Sequence, residues 1–325
     1  MTSNSGNLVR MSVPHNGDPA LPRRLMNSPF RENIVETYFA GNPLTIPSGR
    51  RPKIKHHIKF VESAASFDCR AYDDDIQDLI QFFGACSVRC NLLLNFDGAL
   101  TSQMMNYIDT LVDSGVSAVT VGSVSLLDQV YRRYRTSIKI QNSVYIPTPD
   151  HSAITSLLDG GVTILLVPPD FNHDLEFLHK LAPILSSRGC EFKLMVNEGC
   201  VKHCPYRMED LHDAQSYPVQ MAVQDYLNNP EEFRTLSNPC RAHMERFGIT
   251  KTNYIHPNDI HAYLDLQPLL KIVGRSFSSE TILNACAAYT NGDYMGDLRL
   301  LVENFKHAAE PIRHQPQSRA VFKRN

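Results

Sequence analysis

Short apolar runs alternate with helical patterns along most of this chain, and that alternation leaves few folds open to it. Strand-like runs begin near Ile54, Val88, Ala118, Ile138, Val162, Glu191, Asn253 and Leu269. Helical patterns lie between most of them. The clearest runs from Thr101 to Gly115, where Met104, Tyr107, Ile108, Leu111 and Val112 recur at the spacing of one helix face. Thr101 or Ser102 can cap it and Gly115 can stop it. Strands that each hand over to a helix make a parallel sheet, and eight of them favour closure into a (β/α)8 TIM-like barrel. A doubly wound sheet is the alternative, although no Gly-x-Gly-x-x-Gly turn follows the first strand. Pro183 interrupts the series Leu175, Leu178, Leu181, Leu185 and is expected to kink or shorten that helix.

The chain has 325 residues, enough for a barrel of about 250 residues with extensions. Residues 1–45, rich at the start in Ser, Asn, Pro and Gly, are expected to form a partly flexible N-terminal arm. Residues 46–305 are assigned to the barrel and 306–325 to a basic tail. With 42% apolar residues and a net charge of −2, there is no bulk electrostatic case for nucleic acid. No apolar run reaches membrane-spanning length, and no secretory signal pattern stands at the N-terminus. Eight cysteines in such a chain are expected to be reduced thiols in the cytoplasm.

One interval is much longer than the rest. It follows the sixth run, at Glu191, and holds Cys200, Cys204 and Cys240. The segment reads Val196-Asn197-Glu198-Gly199-Cys200-Val201-Lys202-His203-Cys204-Pro205-Tyr206-Arg207, so an apolar strand delivers two thiols four residues apart just beyond a glycine. Long loops at the C-terminal end of a barrel are where chemistry usually sits. Cys200, Cys204 and Cys240 are therefore candidate metal ligands, for an iron–sulfur cluster or, with His203 or His243, for zinc. Residues just before a strand face the opposite end, which sets aside Cys86, Cys90 and Cys190. Cys286 reads as helix packing. Cys69 follows the first run and is a candidate fourth ligand; without it, the cluster would keep one open iron.

Other groups on that face could handle a substrate. Arg275, after Gly274 at the end of the last strand, could clamp a carboxylate or phosphate. Glu198 could serve as a general acid or base, or could orient a ligand or Arg207. His203, His212, His256 and His261 fall in or near catalytic-face loops, and His212 and His256 are carried as catalytic candidates. Asn95, Gln141 and Asn142 could recognise a polar substrate or support such groups by hydrogen bonds.

The cysteine segment with Pro205, Arg207, His212 and Cys240 resembles the collagenase-like peptidase family, peptidase U32. So do Ile255 to Tyr263, Leu270 to Ser276 and Ala287 to Tyr289, and the likeness spans about residues 45 to 305. The resemblance implies a barrel with a 4Fe–4S cluster held by cysteines. It also implies an oxygen-independent, hydroxylase-type oxidoreductase acting on a small molecule, peptide or nucleotide, and needing an electron donor. Peptide cleavage is the alternative activity, although neither His-Glu-x-x-His nor Gly-x-Ser-x-Gly is present. A non-catalytic, cluster-bearing subunit of a homo- or hetero-oligomer is a further alternative.

Overall fold

The computed structural model describes residues 8–47, 58–61, 64–207, 251–302 and 312. Its strands are β1 (Arg10–Pro14), β2 (Ile34–Ala40), β3 (Ile58–Val61), β4 (Ala64–Phe67), β5 (Arg89–Leu94), β6 (Val116–Val121), β7 (Lys139–Asn142), β8 (Ile164–Leu166), β9 (Glu191–Met195) and β10 (Leu269–Lys271). Eight of these close into a ring of parallel neighbours, in the order β1, β2, β5, β6, β7, β8, β9, β10 and back to β1. The remaining two, β3 and β4, pair antiparallel as a separate hairpin after the second barrel strand. A closed ring taken in sequence order is the (β/α)8 barrel, and it excludes the doubly wound sheet.

Helices α1 (Leu21–Met26), α2 (Cys69–Ala85), α3 (Ser102–Asp113), α4 (Val124–Tyr134), α5 (His151–Asp159), α6 (Leu175–Ser187) and α7 (Ser279–Asn291) return the chain around the outside. Six of them start at a short polar side chain that accepts an otherwise unbonded backbone N–H of the first turn: Asp68, Thr101, Ser123, Asp150, Asp174 and Ser278. Each such cap is worth about 1 kcal/mol. Their inner faces are apolar; α2 buries Tyr72, Ile76, Leu79, Ile80 and Phe83. Deep burial of one such aliphatic or aromatic side chain stabilises by about 2 kcal/mol.

Inside the ring the packing is polar. Arg10, Arg89 and Lys139 converge on Glu191 near the N-terminal end of the barrel. Above them Glu36 accepts from Ser12 at 2.5 Å, from Arg89 at 2.8 Å and from Lys193. Asn91 and Lys193 both donate to Gln141, and Thr120 donates to Asn91. Odd and even strands thus send alternate side chains inward in layers, with charge and amide groups where aliphatic residues are usual.

Two strand expectations fail. The run at Ile54 contributes to the β3–β4 hairpin rather than to the barrel, and Asn253 belongs to no barrel strand: its neighbour Thr252 makes one isolated antiparallel bridge, to Val201. The first two barrel strands come instead from the region read as an arm, so residues 10–40 are structural wall. The cysteine segment therefore follows the seventh barrel strand, β9, not the sixth. Helix α6 continues through Pro183 to Ser187. The basic tail beyond residue 312 lies outside the described residues.

Candidate functional site

Strand β9 ends inside the barrel mouth, and the chain turns at once. Asn197 stabilises the turn by donating to the carbonyls of Val273 and Leu301 and by accepting the Val273 N–H at 2.5 Å. Glu198, also buried, accepts the Cys200 N–H at 3.1 Å. Beyond it, the Cys200 carbonyl accepts the Asn253 N–H at 2.8 Å, and the Lys202 N–H donates to the Lys251 carbonyl at 2.9 Å. The described ends of the insertion, 200–207 and 251–253, are therefore zipped to each other at the mouth. Cys200 and Cys204 are both half-buried.

Asp170, in the turn after β8, ties this loop down. Its carboxylate accepts from Arg207 at 2.7 and 3.1 Å and from the His203 N–H at 2.8 Å. Asn253, in the amide orientation that satisfies both its atoms, accepts from Arg207 Nη2 at 2.6 Å and donates to the Pro169 carbonyl at 3.1 Å. His203 adopts φ of 51°, the left-handed region that a non-glycine residue enters only when its surroundings hold it there. Burial pushes the Asp170 carboxyl up, but the bonds from Arg207 and the His203 amide outweigh it and leave the group below its ordinary range. Burial would lower Arg207 in turn; Cys200, Asp170 and Glu198 around it keep it firmly cationic. Asp170 was missed in the sequence, where the only signal was Pro168-Pro169-Asp170 directly after an apolar strand.

A cavity of about 340 Å³ opens between the loops after β7 and β8 and the cysteine loop. Cys204 and Arg207 line one side, and Ile146, Pro147, Pro169 and Phe171 supply apolar wall. Phe171 stacks on Phe177 with ring centres 4.2 Å apart, which stiffens that wall. The volume lies within the range of small-molecule sites.

The structure sorts the expected site residues into two groups. Glu198, Cys200 and Cys204 share one loop, with Arg207 beside them. Cys69 opens α2, after the second barrel strand, three places around the ring from β9. Arg275 lies close enough to Tyr72 of the same helix to act on its charge, so it stands on the side of the mouth where α2 begins. Among the described residues, no three His, Cys, Asp or Glu side chains gather in a metal-binding group, so Cys69 is not brought together with Cys200 and Cys204. Gly274, at φ of 154°, gives Arg275 its turn, since a Cβ there would stand 2.9 Å from the Phe277 ring.

The remaining candidates take the following places. His256 is buried and caps the turn Pro257–Ala262 by accepting the Asn258 N–H on Nδ1, a structural use of the ring. Gln141 is spent on the barrel interior. Asn142 brackets the Leu166 backbone with both amide atoms. His212, Cys240 and His243 lie outside the described residues. Cys90 and Cys286 are buried, as expected of packing thiols.

Fold and loop together define an eight-stranded α/β barrel that carries a thiol pair at its C-terminal mouth. In sequence the chain is 22% identical, over 272 residues, to an uncharacterized protease of Methanocaldococcus jannaschii, covering 78% of this chain and 76% of that protein. Among solved structures it is similar to a U32 peptidase, with a TM-score of 0.48 and 11% identity over 84% of this chain and 96% of the other. It is also similar to 2,3-dimethylmalate lyase, a member of the PEP mutase/isocitrate lyase superfamily, with a TM-score of 0.34 and 12% identity over 75% and 85% of the two chains. No family model matches. Among the described residues, no helix is long and apolar enough to cross a membrane.

The donor chemistry of the described loop suits a thiophilic metal centre. Two thiols lie on one short loop, and the guanidinium beside Cys200 would favour its thiolate form, the form that binds metal. Cys240 lies outside the described residues, so Cys200 and Cys204 are the candidate ligands that the described loop contains.

Proposed function

We propose that this protein is an iron–sulfur enzyme of the U32 peptidase type, modifying a small molecule, peptide or nucleotide without oxygen. The observation that carries the proposal is the loop itself: Cys200 and Cys204, held at the mouth with a half-buried cation beside the first thiol and a small-molecule-sized cavity beside the second. A bound cluster would supply electron transfer and Lewis acidity. The protein's own residues would do the rest. The apolar wall of Pro147, Pro169 and Phe171 would exclude water and hold the substrate's body next to Cys204. Arg275, across the mouth, would hold an anionic group of a substrate large enough to reach it. Glu198 serves to set the Cys200 amide rather than to move protons, because its carboxylate is buried and already bonded there.

Anaerobic purification with an iron and sulfide count, followed by electron paramagnetic resonance of the reduced protein, tests this reading. A brown protein carrying iron and sulfide is expected. A colourless, iron-free protein would overturn it, and stoichiometric zinc in its place would identify a zinc site. A peptidase is the second reading, and what favours it is the name of the Methanocaldococcus relative. Peptide cleavage that survives joint replacement of Cys200 and Cys204 by Ala would establish it.

A further inference from the structure

Asp170 and Arg207 do more than an ion pair at a loop base requires. Both side chains are largely covered, at 21% and 15% exposure. The pair gathers both ends of the insertion: Asp170 accepts from Arg207 and the His203 amide on the outgoing limb, and Arg207 Nη2 donates to the Asn253 amide oxygen on the returning one. Arg207 Nη2 also donates to the Val201 carbonyl at 3.0 Å. That bond places the guanidinium one residue from Cys200, whose own amide is held by Glu198 and whose carbonyl is held by Asn253. A planar fork bonded at three points has little freedom to swing away.

We propose that Asp170 and Arg207 form a positioning pair that keeps one positive charge beside Cys200 and so sets the electron affinity of the metal centre bound there. The proposal rests on the cluster reading above. A fixed cation near thiolate ligands stabilises the more electron-rich state and raises the reduction potential; a carboxylate behind it tempers the effect while holding the cation in place. The two members therefore pull the potential in opposite directions, although both are needed for the geometry. A purely structural latch would behave differently, because losing either partner would loosen the same loop.

The test compares full-length wild type, Asp170→Asn and Arg207→Gln, all purified anaerobically, by redox titration of the cluster signal. Arg207→Gln is expected to lower the midpoint potential. Asp170→Asn, which keeps an acceptor oxygen of the same shape, is expected to raise it. Shifts of the same sign, or none, would overturn the proposal. Loss of iron from Arg207→Gln and Asp170→Asn alike would show a plain structural latch and overturn the proposal. Arg207→Lys, which keeps the charge, is expected to stay closer to the wild-type potential than Arg207→Gln. An iron-free wild type would overturn the cluster reading and this proposal with it, whereas an iron-bearing wild type with shifts of the wrong sign would overturn the positioning pair alone. Thermal melting of each variant separates unfolding from either result.

Discussion

Lys193 donates directly to Glu36 inside the barrel, and their side chains are 1% and 0% exposed. The pair joins the seventh barrel strand to the second across the interior, with Ser12, Arg89, Asn91 and Gln141 completing its hydrogen bonds. Burying two charges costs several kcal/mol per ion, and only a well-satisfied network offsets that cost. This network is nearly complete, with Gln141 Nε2 left without a partner.

Removing one member should therefore be severe. Lys193→Met is expected to destabilise the fold by roughly 3–5 kcal/mol, because it strands Glu36 in the interior. Replacing both residues, as Glu36→Met with Lys193→Leu, should recover much of that loss. Urea denaturation of the two variants checks this, and a double variant no better than the single one would contradict it.

Acid should unfold the protein in a definite window. Burial raises Glu36 and Glu191, but Lys193 and Arg89 around the first, and Arg89 and Lys139 around the second, outweigh burial and leave both carboxyls below their ordinary value of 4.5. A carboxyl depressed in the folded state contributes stability above its unfolded pKa and loses it as pH falls through the folded pKa. These two groups should therefore leave stability level from neutrality to about pH 5 and make it fall below that. Glu191→Gln should weaken the acid dependence, as read from denaturation curves at several pH values.

Thiol accessibility gives a direct check on the bottom of the barrel. Cys86 is exposed, whereas burial pushes the Cys90 thiol up to about 12 and raises Cys286 as well. Native alkylation at mildly alkaline pH should label Cys86 and spare Cys90 and Cys286. Peptide mapping by mass spectrometry reads the result, and labelling of Cys90 at a rate like that of Cys86 would contradict the packing.

The separation of Cys69 from the cysteine loop has a metal-binding consequence. Cys69→Ser should leave the iron content at the wild-type level, whereas Cys200→Ser and Cys204→Ser should each lose most of it. Iron and sulfide analysis of the three variants settles which thiols are ligands. Loss of iron from Cys69→Ser would show that α2 reaches the centre after all.

The barrel was legible where strands are apolar on both faces. Val119, Leu165 and Leu194 sit in runs that cannot be mistaken for surface. It was illegible where inward positions are polar: Ser12 breaks β1 and Glu36 breaks β2, because in this barrel Ser12 meets Glu36, and Glu36 meets Lys193 and Arg89, rather than oil. The Ile54 run failed in the opposite way, since its alternation belongs to a hairpin beside the barrel. Local spacing was enough to find Cys200 and Cys204 and to cap α3 at Thr101. Asp170 could not be found in that way. Its partners, Arg207 and the His203 amide, are far along the chain, and only folding brings them together.

The hydrogen bonds joining Cys200 and Lys202 to Asn253 and Lys251 have a consequence for chain connectivity. They bring the insertion back to its point of departure, so the closing of that large loop is secured at its neck, and the entropic cost of further length grows only slowly. Strand β9 ends at Met195 and β10 begins at Leu269, and the described stretch between them is itself anchored, with Ile255, Ile260 and Tyr263 in the core. A change of length beyond Arg207 is thus expected to be absorbed outside the neck and to leave the register of β9 and β10 intact.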